Sequence, residues 1–131
     1  MTMHQTVTAS SSWTTHALRA VVALHVVALL FQAVTAGMLL STPGGRALHT
    51  ISGIALLVIG LLHLIVAILA WKPGGGQAEF MVAAALQLVF TLVAAKLGGA
   101  GVKTLHLPLG VLLFGGGVVQ LFRVLAQPRT A

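Results

Sequence analysis

Four apolar stretches, very few charges and short glycine-rich links predict an all-α integral membrane protein. The expected architecture is an up-down four-helix bundle made of two repeated helical hairpins. Of 131 residues, 58% are hydrophobic and only 6% are charged, against about a quarter in soluble domains. With a mean hydropathy of +1.06, the chain has too little polar surface to face water all round. Its natural solvent is lipid.

Residues 1–15 read as a polar N-terminal tail, 16–126 as the bundle and 127–131 as a C-terminal tail. The first helix is expected at about 17–40. Val34-Thr35-Ala36 looks like a signal-peptide cleavage site, but an export signal has no use for His25 and Gln32, so a retained span is expected. The second helix, about 48–71, ends on Trp71, which with Trp13 reads as an interface anchor. The third, about 80–97, closes near Lys96, whose stem can reach the headgroups. The fourth, about 105–125, carries Pro108 in its first turn, where proline is tolerated. Each approaches or exceeds the ~20 residues that cross a bilayer as a helix, and only helical pairing satisfies a backbone in lipid there. The links at 41–45, 72–76 and 98–101 are turn signals. Their shortness makes successive helices antiparallel neighbours.

With the N-terminus in the cytoplasm, Arg19, Lys72, Arg123 and Arg129 lie inside and Arg46, Lys96 and Lys103 outside. That excess favours cytoplasmic termini. The small Ala-, Gly- and Leu-rich chain suits a bacterial cytoplasmic (inner) membrane. Nucleic-acid binding finds no support, because the charges are scattered.

Cysteine and tyrosine are absent and Glu79 is the one acidic residue. Thiolate sites and paired-carboxylate catalysis are thereby excluded, and carboxylate-bound metals have no ligand set. Six histidines, a few amides and isolated bases carry whatever chemistry there is.

The histidines sit in a repeat. Arg46, Leu48, His49, Gly53, Leu56, Gly60 and His63 match Lys103, Leu105, His106, Gly110, Leu113, Gly117 and Gln120 in spacing, and Gln32 and Gln87 give a fainter echo upstream. Steps of four and three place each set on one helical stripe. Both even-numbered helices start at the same side of the membrane, so His49 and His106 share a depth and face each other across the bundle diagonal. The stripe glycines Gly53, Gly60, Gly110 and Gly117 leave room for a flat group. Two imidazoles on opposite sides of an iron suit a haem. Arg46 and Lys103, three residues ahead of their histidines, are placed to meet two propionates.

The paired histidines about fourteen apart, with glycines between them, resemble the membrane b-type cytochromes. The basic-x-Leu-His-x-x-x-Gly start and the HLPLGVLLF run are similar to one half of a haem A synthase. That resemblance covers about Gln32 to Arg123. It implies a four-helix hairpin repeat in which His49 and His106 are axial ligands of one haem b. The chain has half a synthase's length and lacks the acidic residue of its catalytic site, so synthase activity is not implied.

The expected function is one-electron transfer through a bis-histidine haem, with quinol or a membrane redox partner. His25 and His63, at similar depth, are either ligands of a second haem iron or hydrogen-bonded in the core, with Gln120 as a further partner. They also suit a pocket for a quinone head group. The glycines have an ordinary alternative as packing faces, and His49 and His106 one as interfacial residues. A non-catalytic accessory or scaffold subunit of a larger complex is the rival reading. A small proton-relaying transporter or channel is a third.

Overall fold

Helices account for most of the described residues because nothing else satisfies a backbone in apolar surroundings. A computed structural model describes residues 12–128. It contains α1 (Ser12–Ser41), α2 (Gly45–Trp71), α3 (Ala78–Gly99) and α4 (Lys103–Leu125), with no strand among the described residues. All four are long and apolar enough to span a membrane. Each packs on its chain neighbours and α1 closes against α4, while the α1–α3 and α2–α4 diagonals stay apart. The result is an up-down bundle of two hairpins. We call the end with the α1–α2 and α3–α4 links distal, and the end with the α2–α3 link proximal.

Every helix starts two to five residues earlier than its hydrophobicity alone indicates. The polar residues ahead of each apolar run continue the helical backbone hydrogen bonds. The tail is correspondingly shorter: Thr14 is buried inside α1 and Trp13 is exposed beside it. The rest of the predicted tails, with His4 and Arg129, falls outside the described residues. Pro108 lies in the second turn of α4 rather than the first.

The α1–α2 link is only Thr42-Pro43-Gly44. Gly44 turns the chain at φ 83°, a left-handed conformation natural to glycine. Gly45 lies so close to the Met38 carbonyl that a Cβ there would overlap it. The tight link holds α1 along α2. At the proximal end, the Arg19 guanidinium donates to the carbonyls of Val124 (3.4 Å) and Gln127 (2.7 Å). That pins the last turn of α4 to α1.

The interior is layered along the bundle axis. A proximal apolar layer holds Leu18, Val22, Ala67, Phe80, Ala84 and Val124. A polar layer of His25, His63, Gln87, Thr91 and Gln120 follows. Leu29, Leu56, Ala94 and Leu113 form a second apolar layer. Gln32, Thr35, His49, Ser52 and His106 make the distal polar layer. Outward side chains such as Val27, Leu40, Ile51, Val111 and Phe122 remain exposed, as a lipid-facing surface requires.

Candidate functional site

The distal layer brings His49 of α2 and His106 of α4 together across the diagonal. Their ring centroids are 6.1 Å apart with planes at 90°. With metal–nitrogen bonds of about 2.0 Å and ~1.1 Å more to each ring centre, two imidazoles on one metal stand about 6.2 Å apart. The pair therefore has the separation that a shared iron requires. Each ring turns about its own metal bond, so perpendicular planes are compatible with it.

The hydrogen bonds at Nδ1 set which ring nitrogen carries the proton. His106 Nδ1 is 2.8 Å from the Ala94 carbonyl oxygen, which can only accept. Nδ1 thus carries the proton, and Nε2 keeps a lone pair. The ring rests on Gly98, where a Cβ would come within 3.0 Å of it. For His49, the Thr35 hydroxyl gives its one proton to the Gln32 carbonyl (3.0 Å). It therefore accepts from His49 Nδ1, 3.2 Å away, and Nε2 again keeps its lone pair. An imidazole fixed through Nδ1–H is the form in which histidine ligates metals. The Gln32 amide N–H group lies 3.2 to 3.3 Å from His49 Nδ1, Nε2 and carbonyl oxygen. Of these, Nε2 and the carbonyl oxygen can accept its N–H, since Nδ1 carries a proton. Ser52 completes the network, 2.9 Å from Thr35 Oγ1 and donating to Gln32 Oε1 at 2.5 Å.

Around this pair, Gly53 and Gly110 lie one turn deeper and Leu56 and Leu113 two turns deeper. A Cβ at Gly110 would meet nothing within 4 Å, so that face of α4 is open. Gly53 is covered by the Gln32 amide. Arg46 and Lys103 are exposed at the distal rim and make no ion pair among the described residues, where Arg123–Glu79 is the pair formed. The donor set is compatible with a haem: two imidazoles each keeping a lone pair on Nε2, an open glycine beside them, a leucine floor and two bases at the mouth.

No family model, curated protein or solved structure matches this chain.

The inner histidines are joined differently. His25 Nδ1 and His63 Nδ1 are 2.7 Å apart, with ring centroids at 5.0 Å. Two nitrogens flanking one metal stand about 4 Å apart, so this pair is closed by a hydrogen bond. Gln120 Nε2 donates to the Phe80 carbonyl (3.3 Å) and to His63 Nε2 (3.2 Å). For neutral rings, His63 then donates through Nδ1 to His25, and the His25 proton sits on Nε2. That Nε2 is buried without a partner. Gly60 seats the His25 ring, its Cβ position 3.8 Å from His25 Cε1. Gly117 receives Leu29 and Val26 from α1. Gly60 and Gly117 are therefore contact points for neighbouring side chains, unlike Gly110.

Several site residues lay beyond the sequence reading. Thr35, Ser52 and the Ala94 carbonyl orient the histidines. Ser52 follows His49 by three on the same stripe, and Thr35 follows Gln32 by three, so their spacing carried a signal. The Ala94 carbonyl carried none. Gln32 and Gln87 also prove inequivalent: Gln32 lies opposite His49, whereas Gln87 donates to the Leu113 carbonyl (3.1 Å), two turns deeper.

Proposed function

We propose that this chain is a small membrane cytochrome that holds one b-type haem between His49 and His106 and passes single electrons. The observation that carries the reading is the His49–His106 pair: equal depth, 6.1 Å between ring centres, and both Nδ1 atoms engaged so that Nε2 is the lone-pair nitrogen of each ring. A bound haem supplies a one-electron iron couple. Thr35 and the Ala94 carbonyl hold the two rings in their ligating tautomers. Gln32 withdraws its shared N–H from His49 Nε2 when that nitrogen ligates. Gly110, with Gly53 once Gln32 has moved, admits the edge of a flat ring, and Leu56 and Leu113 close the pocket below. Arg46 and Lys103 balance anionic carboxylates at the rim, a role consistent with a chain carrying seven Lys/Arg and one acidic residue. In this reading the distal end faces outward from a bacterial cytoplasmic membrane, both termini are cytoplasmic, and a quinol or membrane redox protein exchanges the electron.

The test is an absorption spectrum of the detergent-purified protein, oxidised and dithionite-reduced, with haem counted per chain. We expect one haem of b type, lost in His49→Ala and in His106→Ala and retained in His63→Ala. A chain that stays colourless when haem is supplied during expression sinks the proposal and leaves a scaffold subunit.

A further inference from the structure

The two halves of the repeat are unequal at the very atoms that would ligate. On α4, His106 Nε2 has no hydrogen-bond partner among the described residues. One turn deeper, a Cβ at Gly110 would meet nothing within 4 Å. On α2, a single side chain of α1 covers both counterparts. Gln32 Nε2 lies 3.3 Å from His49 Nε2 and 3.2 Å from where a Cβ on Gly53 would stand.

The amide is held there by its two ends. An amide nitrogen carries two hydrogens, so one reaches the His49 carbonyl at 3.2 Å while the other meets His49 Nε2. The oxygen accepts from the Ser52 hydroxyl. The bond to the ring nitrogen is at the long end of the usual range and is given up at low cost. Opening strands nothing else. The Ser52 hydroxyl can turn to the His49 carbonyl, 3.1 Å away. Thr35 stays on His49 Nδ1, because its own proton goes to the Gln32 backbone carbonyl rather than to the amide. The His49 tautomer therefore survives the movement. Gln32 is only half-buried, so the amide has room to turn away. Gln87, its match in the repeat, cannot cover His106. It donates to the Leu113 carbonyl, seven residues and about 10 Å further along α4.

We propose, on the haem reading above, that Gln32 is a gate on the second axial position. His106 ligates first through its uncovered Nε2. His49 follows only when the Gln32 amide swings off its ring and off Gly53, and Ser52 is the catch that holds the amide closed. The haem-free chain thus offers one ligating nitrogen, and Gln32 sets how readily the second is added.

The experiment uses the haem-free chain in nanodiscs, with haemin uptake followed by stopped-flow absorption. We expect two phases, the second being ligation by His49. Gln32→Ala should make that phase about five-fold faster, the worth of one ordinary hydrogen bond. Ser52→Ala, which removes the catch and leaves Thr35 on His49, should quicken it by less. A merely structural role for Gln32 predicts slower or weaker uptake instead. A second readout needs no haem. Diethyl pyrocarbonate acylates imidazole through its lone-pair nitrogen, and mass spectrometry reads the product residue by residue. His49 should react about five-fold more slowly than His106, by the same hydrogen bond, and at a similar rate in Gln32→Ala. No haemin uptake by the unaltered chain overturns the haem reading and the gate with it. Uptake whose second phase is unchanged in Gln32→Ala overturns the gate alone. Equal labelling of His49 and His106 in the unaltered chain also overturns the gate, and it stays decisive where a variant fails to fold.

Discussion

His49 and His106 reach one geometry through different partners. Thr35 holds the first ring and the Ala94 carbonyl the second, so the repeat in α2 and α4 is completed by unlike residues on α1 and α3. The inner trio behaves as a unit in another way. His63, 1% exposed, is bonded to both Gln120 and His25. Truncating it strands donors and acceptors in a place without water. His63→Ala is therefore expected to destabilise the bundle by about 2 kcal/mol or more. A double-mutant cycle with His25→Ala should give a coupling of about 0.6–2 kcal/mol. Unfolding in mixed micelles with rising SDS measures both. A coupling near zero would mean that the 2.7 Å contact adds nothing to stability.

At the scale of elements, the stripe glycines divide by what faces them. Gly117 takes Leu29 of α1, whose Cδ1 would lie 3.0 Å from an added Cβ. Gly117→Leu should push α4 off α1 and cost about 1–3 kcal/mol in the same assay. Gly110 faces open space. Gly110→Leu should leave helicity and unfolding within about 0.5 kcal/mol of the parent chain. Under the haem reading it should nevertheless lower haem per chain, because the leucine fills the side on which a flat ring enters. Full haem loading in Gly110→Leu would remove Gly110 from the site. These contrasts were not legible in the sequence, where all four glycines occupy equivalent stripe positions.

Across the whole molecule, charge is segregated to the two ends while the interior alternates apolar and polar layers. Arg46 and Lys103 cap the distal layer without ion-pair partners among the described residues. A cation near an iron favours the reduced, less positive state. Arg46→Gln is accordingly expected to lower the reduction potential of a distal haem, by on the order of 20 mV for a screened charge some 8 Å away. A spectroelectrochemical titration reads it, and an upward shift would place Arg46 elsewhere. The sequence by itself determined the four spans, their antiparallel order and the shared levels of His49 with His106 and of His25 with His63. Apolar length sets a membrane helix, short links set its direction, and helical rise sets its depth. Only the tertiary structure decided that His49 and His106 stand 6.1 Å apart while His25 and His63 close onto each other. It also decided that the Gln87 and Gln120 amide oxygens lie buried without a hydrogen-bond partner. Periodicity assigns a residue to a face of its own helix. The rotation and distance of the neighbouring helix determine what that face meets, and those follow from the packing of all four together.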